Sequence, residues 1–167
     1  MASMQLLRLA DLNLNYKIKE IMENNGFQSG KYIVSDGYPN EQDLGTNKIW
    51  PTVSIEIDSL FGRDIELGSN QWPSFDVIID IFAQTDSQRD DIAYLLWDSL
   101  NETYNNLYEF RSGTFPSAVG NYSGLTILGQ YYLDNLTCNF VPPDLYNKSI
   151  GEQHHSILVG TMHLPNL

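Results

Sequence analysis

The sequence predicts an α+β fold in which two helices pack on one face of a mainly antiparallel, twisted β-sheet. One observation is the order of the elements, which runs helix, strands, helix, strands. Another is the strictly alternating segment Ser74–Ala83, which leads through a polar turn into an amphipathic helix at Ser87–Tyr104. The strands lie close together in sequence, which favours hairpin or meander pairing over a parallel crossover.

The two predicted helices each carry an apolar stripe at helical spacing. The first spans Leu9–Asn24 and ends at Asn25-Gly26, where glycine allows a left-handed C-terminal stop. Its stripe consists of Leu14, Ile18, Ile21 and Met22. The stripe of the second helix consists of Ile92, Leu95, Leu96 and Leu100, and Thr85 or Asp86 is its expected N-cap. Both stripes need an apolar sheet face to cover them.

Alternation and turn residues predict the rest of the sheet. We expect further strands at Tyr32–Val34, Thr52–Asp58, Arg63–Leu67, Leu125–Val141 and His155–Leu164. Gly129 is expected to mark a bulge or a break in the long Leu125–Val141 segment. Phe27–Trp50 is expected to be mostly loop, and a loop of this length is a candidate for interaction with a partner. A chain of 167 residues with 42% hydrophobic residues fits one globular domain over residues 1–167.

The charge of the chain restricts its partners. Twenty-one acidic residues against nine Lys and Arg give a formal net charge of −12. This balance argues against neutralisation of nucleic-acid phosphates and against binding to an anionic membrane surface. It is compatible with a surface that repels DNA so that DNA can slide past. We see neither a signal peptide nor a run of 18 apolar residues, and we expect synthesis in the cytosol.

Residues with catalytic potential do not form a recognisable motif. The three histidines, His154, His155 and His163, could bind zinc. On an extended strand, however, His155 and His163 would lie about 26 Å apart. Asp76 and Asp80 share a strand face but lie about 13 Å apart, too far for an acid/base pair. The chain has no nucleophile elbow and no phosphate-binding loop. We therefore expect no cofactor, no metal and no enzymatic activity.

Tyrosines and the single cysteine have simpler interpretations. Tyr131 and Tyr132 are candidates for a protein interface, as are Tyr104 and Tyr108, because exposed tyrosine is typical of such surfaces. Core packing explains part of each pair equally well. Cys138 alternates with apolar neighbours and is expected to be a small buried side chain.

Three segments resemble the tail terminator and tail completion proteins of bacteriophages. They are the N-terminal helix ending at Asn25-Gly26, the strand WPTVSIEID, and above all FDVIIDIFAQTDSQRDDIAYLLWDSLNE. In that family a strand of this type leads through a polar turn into a helix, and a terminal strand, here SILVGTMHL, closes the sheet. The resemblance implies a structural virion protein of the neck. It implies a homohexameric ring that caps the tail tube, contacts the head connector and lets the genome pass, and it implies no catalytic residues.

If the sheets line the channel of such a ring, their outward faces should be acidic. Alternation places Glu56, Asp58, Asp76 and Asp80 on the outward face, together with Ser54. A negative lumen would prevent DNA from adhering during transit. Three alternatives remain open: a tail tube or baseplate subunit, a small metal-dependent hydrolase that uses the histidines, and a bacterial binding module unrelated to phage.

Overall fold

The computed structural model describes residues 3–39, 49–59, 73–110, 119–142 and 154–165. Its elements are α1 (Ser3–Asn24), β1 (Ile33–Asp36), β2 (Thr52–Ser59), β3 (Ser74–Phe82), α2 (Asp86–Leu100), β4 (Tyr104–Tyr108), β5 (Ile127–Val141) and β6 (His155–His163). These six strands form one sheet in the order β1-β2-β3-β6-β5-β4. β1 is parallel to β2, and every other neighbouring pair is antiparallel. The predicted α+β class with a mainly antiparallel sheet is confirmed.

Both helices bury their stripes against the same sheet face. Leu14, Ile18 and Met22 of α1 and Ile92, Leu96 and Leu100 of α2 are fully buried. They belong to one cluster with the helix-facing strand residues Val53, Ile79 and Leu158. Each fully buried side chain of this size contributes roughly 1.5–3 kcal/mol. The cluster therefore holds the helices and the sheet together as two layers.

Helix α1 connects the two edges of the sheet, because it contacts both β1 and β4. The buried Asn13 side chain donates to the carbonyl of Tyr108 at 3.0 Å and accepts from the Tyr108 amide at 2.8 Å. At the other edge, the Asn15 side chain donates to the Asp36 carboxylate at 3.0 Å. Since β1 and β4 are the outermost strands, the sheet curls around α1.

The second helix is shorter than predicted. Thr85 is its N-cap, accepting from the Gln88 amide, and the helix ends at Leu100. Glu102 has a φ of 53°, which turns the chain away, so the predicted extension to Tyr104 is wrong. The next residues form β4, which was not predicted. Its inward positions are Asn105 and Leu107. Because one of them is a polar asparagine, the segment lacks the apolar/polar alternation that predicts a strand.

The long strand is continuous, but its register shifts twice. One shift lies opposite Leu107 and Tyr108, beside Gly129, as predicted for this glycine. The other lies between Asp134 and Thr137, where Asn135 has a φ of 54°, and the sequence did not predict it. The predicted short strand Tyr32–Val34 lies at Ile33–Asp36 instead. The predicted strand Arg63–Leu67 lies outside the described residues.

Candidate functional site

The sheet face opposite the helices, hereafter the open face, is the main candidate surface. The strand registers place Asp58, Asp76, Thr161 and Asp134 directly opposite one another on β2, β3, β6 and β5. These three aspartates, together with Thr161 between Asp76 and Asp134, are called the carboxylate row. The next row consists of Glu56, Ile78, Val159 and Thr137. Side chains at directly opposite positions lie about 4.5–5.5 Å apart. The open face therefore presents a line of acids next to a partly apolar line.

The charge of the open face has one sign. The six strands contain six carboxylates and no Lys or Arg. Five of these carboxylates, those of Glu56, Asp58, Asp76, Asp80 and Asp134, lie on the open face. Among the described residues, Lys and Arg occur only on the two helices and in the turn after α1. The sheet is therefore the acidic side of the described fold.

Asp80 differs from the other acids because it is buried. It is 3% exposed, and its carboxylate lies 2.6 Å from His155 Nε2. The His155 ring stacks on Phe82, and Tyr38 packs edge-on against both rings. Tyr38, which follows β1, therefore covers this end of the face. The expectation that Asp80 and Ser54 are exposed is wrong, since Ser54 is also fully buried.

The other predicted acids keep contact with solvent. Asp58 is exposed, and Asp76 and Glu56 are half-buried. Glu56 accepts a hydrogen bond from the Tyr38 amide at 2.9 Å. Asp134, which sequence reasoning missed, completes the carboxylate row from β5. Alternation counted back from Leu136, Cys138 and Phe140 gives Asp134 the wrong face, because the unpredicted register shift lies between Asp134 and those residues.

The two tyrosines predicted for an interface lie on opposite faces. Tyr131 is 1% exposed and belongs to the core under the helices, so its predicted interface role is wrong for this residue. Tyr132 lies on the open face, where its ring stacks on His163 with centroids 4.7 Å apart. Tyr104 contacts Tyr132 at 5.0 Å and is 60% exposed. The accessible aromatic surface is thus centred on Tyr104 and Tyr132.

Each of the three histidines is paired with a different aspartate. His155 contacts Asp80, His154 contacts Asp86 at 2.9 Å, and His163 Nε2 lies 3.6 Å from Asp134. The hydrogen bond from His154, with the nearby Arg89, lowers the pKa of Asp86. The structure does not bring the histidines together. Within the described ranges, no group of three or more His, Cys, Asp or Glu side chains is placed to hold a metal ion.

A second acidic region lies between α1 and the β1–β2 edge. Asp11, Asp36, Glu56 and Asp58 line this groove together with Arg8. Burial, followed by the charge and hydrogen bond of Asp36, raises the pKa of Asp11 to about 6. In weakly acidic solution the protonated Asp11 carboxyl can therefore donate a hydrogen bond to Asp36.

Cys138 is exposed, so its predicted burial is wrong. It follows the register shift at Asn135, near the end of β5. Partial desolvation raises the pKa of its thiol, which is the opposite of what a nucleophilic cysteine needs.

No protein-family model matches this chain, and neither the curated proteins nor the solved structures contain a match. In the part of the chain that the structure describes, neither helix has the length and apolar character needed to span a membrane.

Proposed function

We propose that the protein is a structural subunit of a homo-oligomeric ring through which DNA passes, of the tail terminator kind. The observation that supports this most is the carboxylate row. Asp58 lies directly opposite Asp76, and like charges at such positions are destabilising. The sheet contains no Lys or Arg to compensate them. An arrangement that costs stability in one chain is expected where the assembled protein uses the charge.

In a ring, the negative charge of the carboxylate row would repel the phosphates of DNA. Double-stranded DNA carries one phosphate charge per about 1.7 Å of axis, so an acidic wall offers it no site to bind. If the open face lines the channel, the carboxylate row keeps the wall free of attractive contacts during passage. The proposed partners are the tail tube protein on one side and the head connector or stopper protein on the other. The proposed location is the neck of the virion, with assembly in the host cytoplasm.

Electron microscopy of the purified protein, combined with sedimentation velocity over a range of concentrations, tests the ring. We expect closed rings with a central hole, six subunits being the number that the resemblance implies. Rings that stack into long tubes would favour a tail tube subunit instead. A chain that stays monomeric at every concentration would contradict the ring.

The orientation of the open face has its own test. The double variant Asp58→Lys/Asp76→Lys places lysines on the proposed wall, and rings of this variant should retain double-stranded DNA at low salt. The matched control is Asp91→Lys/Asp98→Lys, which makes the same charge change at two exposed positions of α2. Equal retention by both variants would show that charge alone governs binding, and would contradict an inward open face.

A further inference from the structure

Strand β4 has an edge with free backbone groups. Just after β4, the Glu109 amide donates to the Thr126 carbonyl on the β5 side, whereas the Tyr108 amide and carbonyl point away from β5 and bond the Asn13 side chain. Backbone groups alternate in direction along an antiparallel strand. The amides and carbonyls of Tyr104 and Asn106 therefore point outward, away from β5, where the described structure offers them no partner.

Strand β1 has a matching edge on the other side of the sheet. The amides of Ile33 and Gly37 donate to carbonyls of the β2 segment. By the same alternation, the backbone groups of Val34 and Asp36 point away from β2. No hydrogen bond to these backbone groups occurs among the residues described. Each edge thus offers two open residues spaced two apart.

A groove already runs along the β4 edge. Tyr104 and Asn106 from the open face and Asn105 from the helix-facing side all line it. Side chains from both faces of one strand can meet only along its free edge. The opposite wall consists of Asn13, Lys17 and Glu20 of α1. At its end, the Asn13 amide bonds the Tyr108 backbone as a neighbouring strand would.

The topology gives the two edges the same direction. Going across the sheet from β1, the one parallel and four antiparallel pairings leave β4 running the same way as β1. Rotation about an axis along the strands preserves strand direction. In a ring built by such a rotation, β4 of one copy therefore meets β1 of the next copy in parallel. Such head-to-tail contacts between unlike surfaces close into a ring when the rotation between copies closes.

We propose that β4 pairs in parallel with β1 of a second copy, with Val34 opposite Asn105, so that one sheet continues around the ring. In a parallel pair, a residue bonds the two residues that flank its partner. Val34 then reaches both Tyr104 and Asn106 and leaves the Asn13 contact intact. Val34 and Asn105 both face the helices, so the open face stays on the same side in every copy. This inference rests on the proposed ring.

The register brings further complementary groups together. Lys31 and Glu102, both exposed in the single chain, each lie two residues before their strand begins and therefore come close together at the same end of the pairing. Ile33 comes opposite Tyr104, which is otherwise 60% exposed. One cation therefore meets one anion, and a large exposed ring gains an apolar neighbour. These pairs favour a second copy over an unrelated peptide as the occupant of the edge.

The first experiment blocks the edge with Asn106→Pro. Proline is tolerated where a strand amide points outward, but it cannot donate to a second copy. Asn106→Ala keeps the amide and is the matched control. In sedimentation velocity, the proline variant should dissociate at a concentration at least about tenfold higher than wild type, through lost hydrogen bonds and a steric clash. Circular dichroism and a thermal melt establish that the monomer is folded.

The second experiment uses charge reversal and does not disturb the strand. Lys31→Glu and Glu102→Lys should each weaken association by about two- to fivefold, and the double variant should restore it. This contact would be overturned, with the ring itself left intact, if Asn106→Pro forms rings as stable as those of wild type. The same holds if the double variant does not restore the association that the single reversals weaken. A monomeric wild type would instead overturn the ring and this contact together.

Discussion

Asp11 allows a test of the hydrogen bond that its protonated carboxyl makes between α1 and β1. Burial and the neighbouring Asp36 raise the pKa of Asp11 from the ordinary 3.8 to about 6. The folded state therefore binds this proton more tightly than the unfolded state does. Stability from this group is complete below about pH 4, and it is lost as pH rises through 6. At neutral pH, wild type holds two carboxylates together at a cost.

The size of that cost follows from the pKa. A rise from 3.8 to about 6, at about 1.4 kcal/mol per pH unit, corresponds to roughly 3 kcal/mol. Asp11 is partly exposed, so water screens the interaction, and we expect about 1 kcal/mol in practice. Asp11→Asn removes the charge and keeps a donor toward Asp36. The variant should therefore be about 1 kcal/mol more stable than wild type at pH 7.5.

Urea unfolding at pH 7.5 and pH 4.5 measures the effect. The gain from Asp11→Asn should shrink at pH 4.5, because folded wild type is then mostly protonated at Asp11. Asp91→Asn, at an exposed position of α2, controls for the loss of one charge from an acidic protein. A gain that is equal at both pH values, or that Asp91→Asn reproduces, would refute the raised pKa of Asp11.

Three further substitutions test the packing of the sheet by urea unfolding at pH 7. Asn13→Ala should cost about 2–3 kcal/mol, because it breaks both bonds to Tyr108 and leaves those backbone groups unpaired. Gly160→Ala should cost about 1–3 kcal/mol, since the added Cβ would lie 2.9 Å from the Asp134 carbonyl oxygen. His155→Ala should cost about 3–5 kcal/mol by leaving Asp80 buried without its partner. Losses under 0.5 kcal/mol would contradict these contacts.

Periodicity was sufficient to predict most of the architecture. The stripes of α1 and α2 and the alternation of β2, β3 and β6 reflect direct burial against one core, so their residue types follow the structure closely. β4 was not predicted, because Asn105 occupies an inward position and its side chain donates to the nearby Thr103 carbonyl. A side chain that is satisfied by its own segment leaves no apolar signal in the sequence.

The candidate surface was harder to predict, because exposure depends on elements distant in sequence. Alternation placed Asp76 and Asp80 correctly on one face. It could not show that Tyr38 and His155 cover Asp80, since that contact joins three separate segments. Asp134 and Tyr131 depended on register, which is set by cross-strand pairing and by the left-handed residue Asn135. Local pattern therefore predicts faces, and tertiary pairing decides which parts of a face solvent reaches.

The two hydrogen bonds between the Asn13 side chain and the Tyr108 backbone have a consequence for biosynthesis. The two residues are 95 positions apart, so α1 leaves the ribosome well before Tyr108 does. At roughly 5–20 residues per second, translation delivers the partner strand about 5–20 seconds later. During that interval the apolar stripe of the nascent helix has no sheet to cover it. A chaperone that shields exposed apolar segments of nascent chains is therefore expected to bind α1 during this interval.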